Sequence, residues 1–271
     1  PTIVAISLSI NIARMARQNA LVKKMIACET IGCVNVICSD KTGTLTENRM
    51  TVVGVYTDGV MHESGEICNP IMLHNCCINS TADLYDDERG INFVGNPTEC
   101  ALLVNARKCG FDYKRIRNQT KIYDLYPFSS DAKNMTTVAD TEQGITIYTK
   151  GSPEKILSLC DLTDEERALA EKEIIDREEN ACRVLAFAHK CTDARPLNRE
   201  DAERGLIFDG FAAITDPLRA EVYGAVKTCQ SAGIDVKILT GDNIVTASAI
   251  ARELDILDEE HVAVEAGYLE N

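Results

Sequence analysis

Val34-Asn35-Val36-Ile37-Cys38-Ser39-Asp40-Lys41-Thr42-Gly43-Thr44-Leu45-Thr46 is the stretch that decides the fold. An apolar, β-branched run of strand length stops at a carboxylate, and a lysine, a glycine and three threonines follow. Open parallel sheets bind their ligands in the crevice at the carboxyl ends of the strands, where a short loop offers amides and hydroxyls to a tetrahedral anion. Asp40 is then the expected nucleophile. Taken alone, Asp-Lys-Thr-Gly-Thr also serves as a polar turn, because Asp, Thr and Gly are ordinary turn formers.

The run continues through Glu47-Asn48-Arg49-Met50-Thr51-Val52, and residues 37–52 as a whole resemble the phosphorylation motif of P-type ion-motive ATPases. The resemblance implies that Asp40 accepts the γ-phosphoryl group of ATP as an aspartyl phosphate, a route of covalent catalysis. Carboxylate and ATP are both anionic, so such a site must neutralise charge and hold the phosphoryl group in line. Lys41, Thr42 and Thr44 are implied to steady its oxygens, with Mg2+ between the phosphate, the Asp40 carboxylate and the Thr42 carbonyl. Related dehalogenase-fold phosphatases carry a second Asp where Thr42 stands. A hydroxyl does not replace it as general acid and base, so the implied acyl phosphate persists.

Lys and Arg number 28 against 42 Asp and Glu, a formal net charge of −14, which argues against a nucleic-acid partner. The chain begins at Pro1 rather than Met, so an excerpt of a longer protein is expected. Residues 3–10 are apolar but far short of a membrane span, and Arg14, Arg17, Lys23 and Lys24 follow. They fit either an amphipathic helix packed on the domain or the cytoplasmic end of the family's fourth transmembrane helix. The twelve cysteines have no C-x-x-C pair and are expected to be reduced and mostly buried; the four histidines lack ligand spacing. Thr163 with Glu166 predicts a capping box opening a helix.

A second loop repeats the opening pattern. Val236-Lys237-Ile238-Leu239 reads as a strand, Thr240-Gly241-Asp242-Asn243 as its loop, and residues 244–250 as a helix. Alone it is a βα turn; beside the Asp40 loop it resembles the family's second phosphate motif, with Thr240 on the phosphoryl group and Gly241 and Asp242 beside it. Ile214-Thr215-Asp216-Pro217-Leu218-Arg219 resembles the family's hinge, and Asp216 and Arg219 are counted with the nucleotide-binding residues; Asp216-Pro217 also suits a plain helix start. The family's Gly-Asp-Gly-x-Asn-Asp loop and its lysine do not occur before Asn271, so turnover by this chain alone is not expected. Residues 214–271 are expected to be poorly ordered or to pair with a neighbour's sheet edge.

Between the hinge segments lie residues enough for a separate domain. It has no G-x-x-x-x-G-K-[ST], so ATP must be held otherwise. Tyr126-Pro127-Phe128 to Lys133 forms a turn between two strand-like runs and resembles the family's adenine-stacking segment, which implies Phe128 on the purine and Lys133 lining the pocket; Ala132 stands where a basic residue is common. Ile145 to Lys150 alternates as a strand, and Lys150-Gly151-Ser152-Pro153-Glu154 resembles the family's Lys-Gly-[Ala/Ser]-Pro-Glu. Lys150 is implied to reach the pocket, and Gly151 to let a ligand approach the backbone. Asn96-Pro97-Thr98-Glu99 reads as a capping box that accounts for Glu99; in the family a Glu here bonds the nucleotide. Arg183 matches an arginine at the ribose and phosphates, or is an edge-strand charge.

These features predict an α/β chain. A partial dehalogenase-like (Rossmannoid) phosphorylation domain in residues 33–50 and 214–271 receives an α+β nucleotide-binding domain, residues 51–213, built on an antiparallel sheet. Residues 1–32 are the end of a transmembrane helix and its stalk. The resemblance, closest to calcium pumps of the plasma-membrane type, implies the cytoplasmic portion of a membrane protein with ATP and Mg2+ as cofactors and a transported cation as partner. The rivals are a soluble dehalogenase-fold phosphatase and an ATP-binding module without turnover.

Overall fold

The computed structural model describes residues 2–63, 69–88, 90–241, 244–259 and 261–265. Helices α1 (Thr2–Arg17) and α2 (Met25–Gly32) lead to strand β1 (Val36–Asp40) and a wide turn over Lys41–Leu45. Then come β2 (Thr51–Thr57), β3 (Val60–Glu63), α3 (Pro70–Ile78), β4 (Asp83–Asp87), β5 (Gly90–Val94), α4 (Pro97–Lys108) and α5 (Tyr113–Gln119). The next group is β6 (Lys121–Tyr126), β7 (Asn134–Thr141), β8 (Gly144–Gly151), α6 (Pro153–Leu159), α7 (Asp164–Glu179) and β9 (Arg183–Thr192). The last is α8 (Arg199–Ala202), β10 (Ile207–Thr215), α9 (Ala220–Ser231), β11 (Asp235–Leu239) and α10 (Ile244–Glu253).

Among the described residues, seven strands build one antiparallel sheet in the order β3-β2-β10-β9-β8-β7-β6. Its central strands are buried on both faces, because side chains alternate and each face carries helices. Phe187 packs with Met72 of α3 and Leu102 of α4; Ala186 and Ala188, pointing the other way, pack with Ile156 of α6 and Ala170 of α7. Burying a Phe187 or Phe211 side chain is worth about 1.5–3 kcal/mol. Gly210, with φ +125, forms a bulge in β10 where a Cβ would lie 1.8 Å from the Tyr56 carbonyl oxygen. The bulge leaves Asp209 buried against His189, Nδ1 to Oδ1 2.6 Å. The Thr163 capping box opens α7 as its spacing predicts.

The β1 strand pairs in parallel with β11, from Val36 with Asp235 to Asp40 with Leu239. Leu45, Val222, Val226, Val236, Ile250 and Leu254 form a core beneath this pair, so α9, β11 and α10 pack as a unit. Of residues 214–271, expected to be poorly ordered or to pair with a neighbour's sheet edge, those up to Ile256 are packed in this unit. The rest of the C-terminal stretch packs less: Val262 and Val264 are exposed, and residues 266–271 lie outside the described residues. Two segments join this unit to the large sheet. They are pinned side by side by a bridge between Thr46 and Leu218 and by the Glu47 amide donating to the Pro217 carbonyl at 3.0 Å.

Neither α1 nor α2 has a buried residue, so an amphipathic helix packed on the domain is not what residues 2–17 form. No helix among the described residues is long and apolar enough to cross a membrane. Ten described cysteines are free, whereas Cys109, closing α4, is disulfide-bonded; the all-reduced expectation fails there.

Candidate functional site

Parallel register sets the first part of the site. Because Asp40 pairs with Leu239, the loops that follow both strands, carrying Lys41 and Thr240, open on the same edge. Asp40 is exposed there with Thr42 and Thr44, while Lys41 is buried. The turn closes through the Thr46 amide on the Lys41 carbonyl, 3.1 Å, and Gly43 at φ +76 takes a backbone shape that favours glycine. Gly241 is exposed just after Thr240; Asp242 lies outside the described residues.

Asp216 and Arg219 have work inside this loop. The Thr46 hydroxyl donates to Asp216 Oδ2 at 2.6 Å and the Arg49 amide to Oδ1 at 2.9 Å. Arg219 donates from Nη2 to the Gly43 carbonyl at 3.1 Å, and from its amide to the Leu45 carbonyl at 2.9 Å. Both carboxylate oxygens of Asp216 are therefore engaged by the protein. Their placement gives both residues a part in shaping the Asp40 loop.

The second part lies at the end of β8. Lys150 Nζ donates to Glu99 Oε1 at 2.7 Å, with the two side chains only 5% and 12% exposed. Glu99 Oε2 accepts from the Ser80 hydroxyl (3.1 Å), the Thr81 amide (3.0 Å) and the Thr81 hydroxyl (3.1 Å). Burial works against the Glu99 charge, but the Lys150 ammonium and these donors bring its carboxyl below the ordinary value. Burial pushes the Lys150 ammonium down, opposed by Glu99. The capping-box account of Glu99 fails: Asn96 caps α4 by accepting from the Thr98 amide, and the Glu99 carboxylate turns inward to the buried Lys150 ammonium.

Phe128 stands 62% exposed on the segment joining β6 to β7, with no core to fill. That segment ends at Lys133, whose φ of +56 and carbonyl bond from the Ser152 amide (2.9 Å) bring it against the end of β8. Gly151 answers to this approach. A Cβ there would lie 2.4 Å from the Lys133 carbonyl oxygen and 2.7 Å from Asn134 Cβ. The backbone that the missing side chain admits is that of Lys133 and Asn134.

Arg183, at the start of β9, is exposed and donates to the Thr98 hydroxyl at 3.2 Å, so it is neither buried nor idle. It lines a cleft of about 650 Å³ between the large sheet and the parallel pair, with Lys41, Ser152, Glu178, Asp216 and Thr246 on its walls. Chemically, the arrangement offers an exposed carboxylate beside a loop of hydroxyls, a cleft with a cation from each side, an exposed aromatic ring and a buried ammonium. Ser80, Thr81 and Thr46 were not singled out by sequence. Thr46 carries a signal in its motif, but nothing local ties residues 80 and 81 to Glu99.

An antiparallel sheet domain joined by two adjacent segments to a parallel pair that ends in an aspartate loop defines a mixed α/β protein. A family model described as P-type ATPase, cytoplasmic domain N, matches residues 68–221, more than half of the chain, and the chain belongs to that family. It is 39% identical to "Cation-transporting ATPase pma1" of Synechocystis, over 96% of this chain and 32% of that protein. It is 36% identical to "Calcium-transporting ATPase PAT1" of Dictyostelium discoideum, over 98% of this chain and 26% of that protein. It is 35% identical to "Calcium-transporting ATPase 10, plasma membrane-type" of Oryza sativa, over 98% of this chain and 29% of that protein. The chain thus spans about a third or less of the relatives it matches.

Proposed function

We propose that this chain is the nucleotide-binding and phosphorylation headpiece of a membrane cation pump. Residues 51–213 hold ATP, and residues 33–50 and 214–271 belong to a dehalogenase-like phosphorylation domain around Asp40. The observation that carries the proposal is the shared edge of β1 and β11, with Asp40 and Thr240 at neighbouring strand ends beside a cleft that Arg183 reaches from the other side. The relatives' names make calcium the proposed cation.

In this reading the purine stacks on Phe128, with Lys133 and Lys150 at the pocket and Arg183 toward the ribose and phosphates. Closure about the paired hinge segments carries the γ-phosphate to Asp40. An Asp40 carboxylate oxygen bonds to the γ-phosphorus as the bond to the bridging oxygen breaks, and ADP leaves with that electron pair. Lys41, Thr44 and Thr240 hold the phosphoryl oxygens. Thr42 offers no second carboxyl for hydrolysis, so the acyl phosphate lasts long enough to bias a transport domain between two states.

The donors fit Mg2+, which binds through one or two carboxylates or carbonyls together with substrate phosphates: the exposed Asp40 carboxylate and the Thr42 carbonyl are hard oxygens. Bound there, the ion would neutralise charge on the phosphoryl group.

The test is acid-stable incorporation of label from the γ-phosphate of ATP into the full-length protein in membranes. Label on Asp40 that vanishes in Asp40→Asn is the expected result. A protein that binds ATP and never labels is a binding module, and the pump proposal falls.

A further inference from the structure

Helix α5 packs on the side of α3 and takes no part in the cleft. Yet Arg117 of α5 grips the turn that precedes β4. Its Nε donates to the Cys77 carbonyl at 2.6 Å, Nη1 to the Ala82 carbonyl at 2.8 Å, and Nη2 to the Ser80 carbonyl at 3.2 Å. The guanidinium also lies over the Tyr113 ring, 5.0 Å from its centre. A planar fork of fixed donors is suited to holding three carbonyls at once, and an ammonium is not. The turn held in this way presents the Ser80 hydroxyl and the Thr81 amide and hydroxyl to one oxygen of Glu99, whose other oxygen holds Lys150.

We propose that Arg117, Ser80 and Thr81 are positioning residues: α5 acts through the turn at residues 79–82 to fix Glu99, and through Glu99 the orientation of Lys150. The importance of Lys150 to nucleotide binding rests on the function proposed above; the brace itself does not. Without the three donors to Oε2, the Glu99 carboxylate is free to rotate about its side chain. The Lys150 ammonium then loses its one fixed acceptor among the described contacts and follows Glu99 toward water. The charged and titratable groups that bear on Lys150 are Glu99, the Cys76 thiol and the Arg117 guanidinium itself. The informative variant therefore keeps the Arg117 charge and removes only the fork.

Competitive acetylation with acetic anhydride at mildly alkaline pH, read by peptide mass spectrometry on this chain without nucleotide, reports how well each lysine amine is protected. Exposed Lys172 on α7 is the internal reference. Lys150 is protected in the wild type. Arg117→Lys and Thr81→Val are expected to raise its reactivity about tenfold, while Thr81→Ser, which keeps the hydroxyl, restores protection and Lys172 does not change. Tenfold corresponds to ~1.4 kcal/mol. A purely structural role would lower the melting temperature of Arg117→Lys without this selective change. The brace is overturned if Lys150 stays protected in the folded variants, or if Thr81→Ser is as reactive as Thr81→Val. Should Arg117→Lys not fold, the Thr81 pair, at an exposed position, decides alone. Calorimetric titration of ATP into the same proteins separates the two proposals. Selective deprotection in the variants together with a wild type that binds no ATP sinks the nucleotide site and leaves the brace, and ATP binding by the wild type with unchanged protection in the variants does the reverse.

Discussion

Removing Glu99 strands a buried charge. In Glu99→Ala the Lys150 ammonium, at 4% exposure, loses the acceptor 2.7 Å away. The Ser80 hydroxyl and the Thr81 amide and hydroxyl lose theirs too, but Thr81 is exposed and turns to water. The ammonium therefore dominates the cost, and breaking a buried pair from one side costs about 3–5 kcal/mol. Replacing Lys150 as well, in Glu99→Ala/Lys150→Met, removes the stranded charge, and most of the loss is expected to return. Urea unfolding followed by far-ultraviolet circular dichroism measures both, with the double-mutant cycle isolating the pair. A single-variant loss under about 1 kcal/mol, or a double variant as unstable as the single, refutes the claim that the pair is buried and mutually dependent. The pH dependence has a definite sign. Glu99 is held below its ordinary value of 4.5, so its contribution is complete above that value and is lost as pH falls through the lowered one. Wild type should lose stability on acidification relative to Glu99→Gln.

Three further outcomes follow from other parts of the molecule. Phe128→Ala should leave the unfolding midpoint nearly unchanged, because the ring is exposed, yet weaken ATP binding by about 1–3 kcal/mol in a calorimetric titration; unchanged affinity removes the stacking role. Gly151→Ala drives a methyl group into the Lys133 carbonyl and should destabilise by about 1–3 kcal/mol in a thermal melt, whereas a neutral result would mean that this contact yields freely. Asp209 is raised by burial, opposed by its bond to His189, so the folded state holds that proton more tightly than the unfolded chain. Its contribution is present below the ordinary value of 3.8 and is lost as pH rises through the raised one. The urea midpoint of wild type should therefore fall relative to Asp209→Asn as pH rises across that window; a difference that does not vary with pH refutes it.

Much of the architecture was legible because it is written locally. The strand ending at Asp40, the strand ending at Leu239, the helix after Asn243, the turn between Tyr126 and Asn134, and the Thr163 cap all rest on neighbours within a few residues, and all stand in the structure. The capping-box reading of Glu99 fails for the same reason. Its capping-box spacing is a local signal, while its partner Lys150 is 51 residues away and the pair forms only when β8 is laid beside α4. Gly151 and Asp216 likewise have contacts that local spacing does not announce: one admits the Lys133 backbone, and the other ties residues 46 and 49 to the hinge.

The sequence by itself determined the strand-to-loop character of the Asp40 motif, the repetition of that pattern at Thr240 and the separate sheet-building segment between them, since each follows from side-chain type and spacing along the chain. Only the tertiary structure decided which buried charge meets which, that β1 and β11 end in register, and that Arg117 reaches three carbonyls, at the end of α3 and in the turn after it, 35 to 40 residues away. The physical reason is that hydrogen bonds and ion pairs are satisfied by proximity in space. A carboxylate taken from water binds whichever cation the fold brings within about 3 Å, whatever its local spacing suggests.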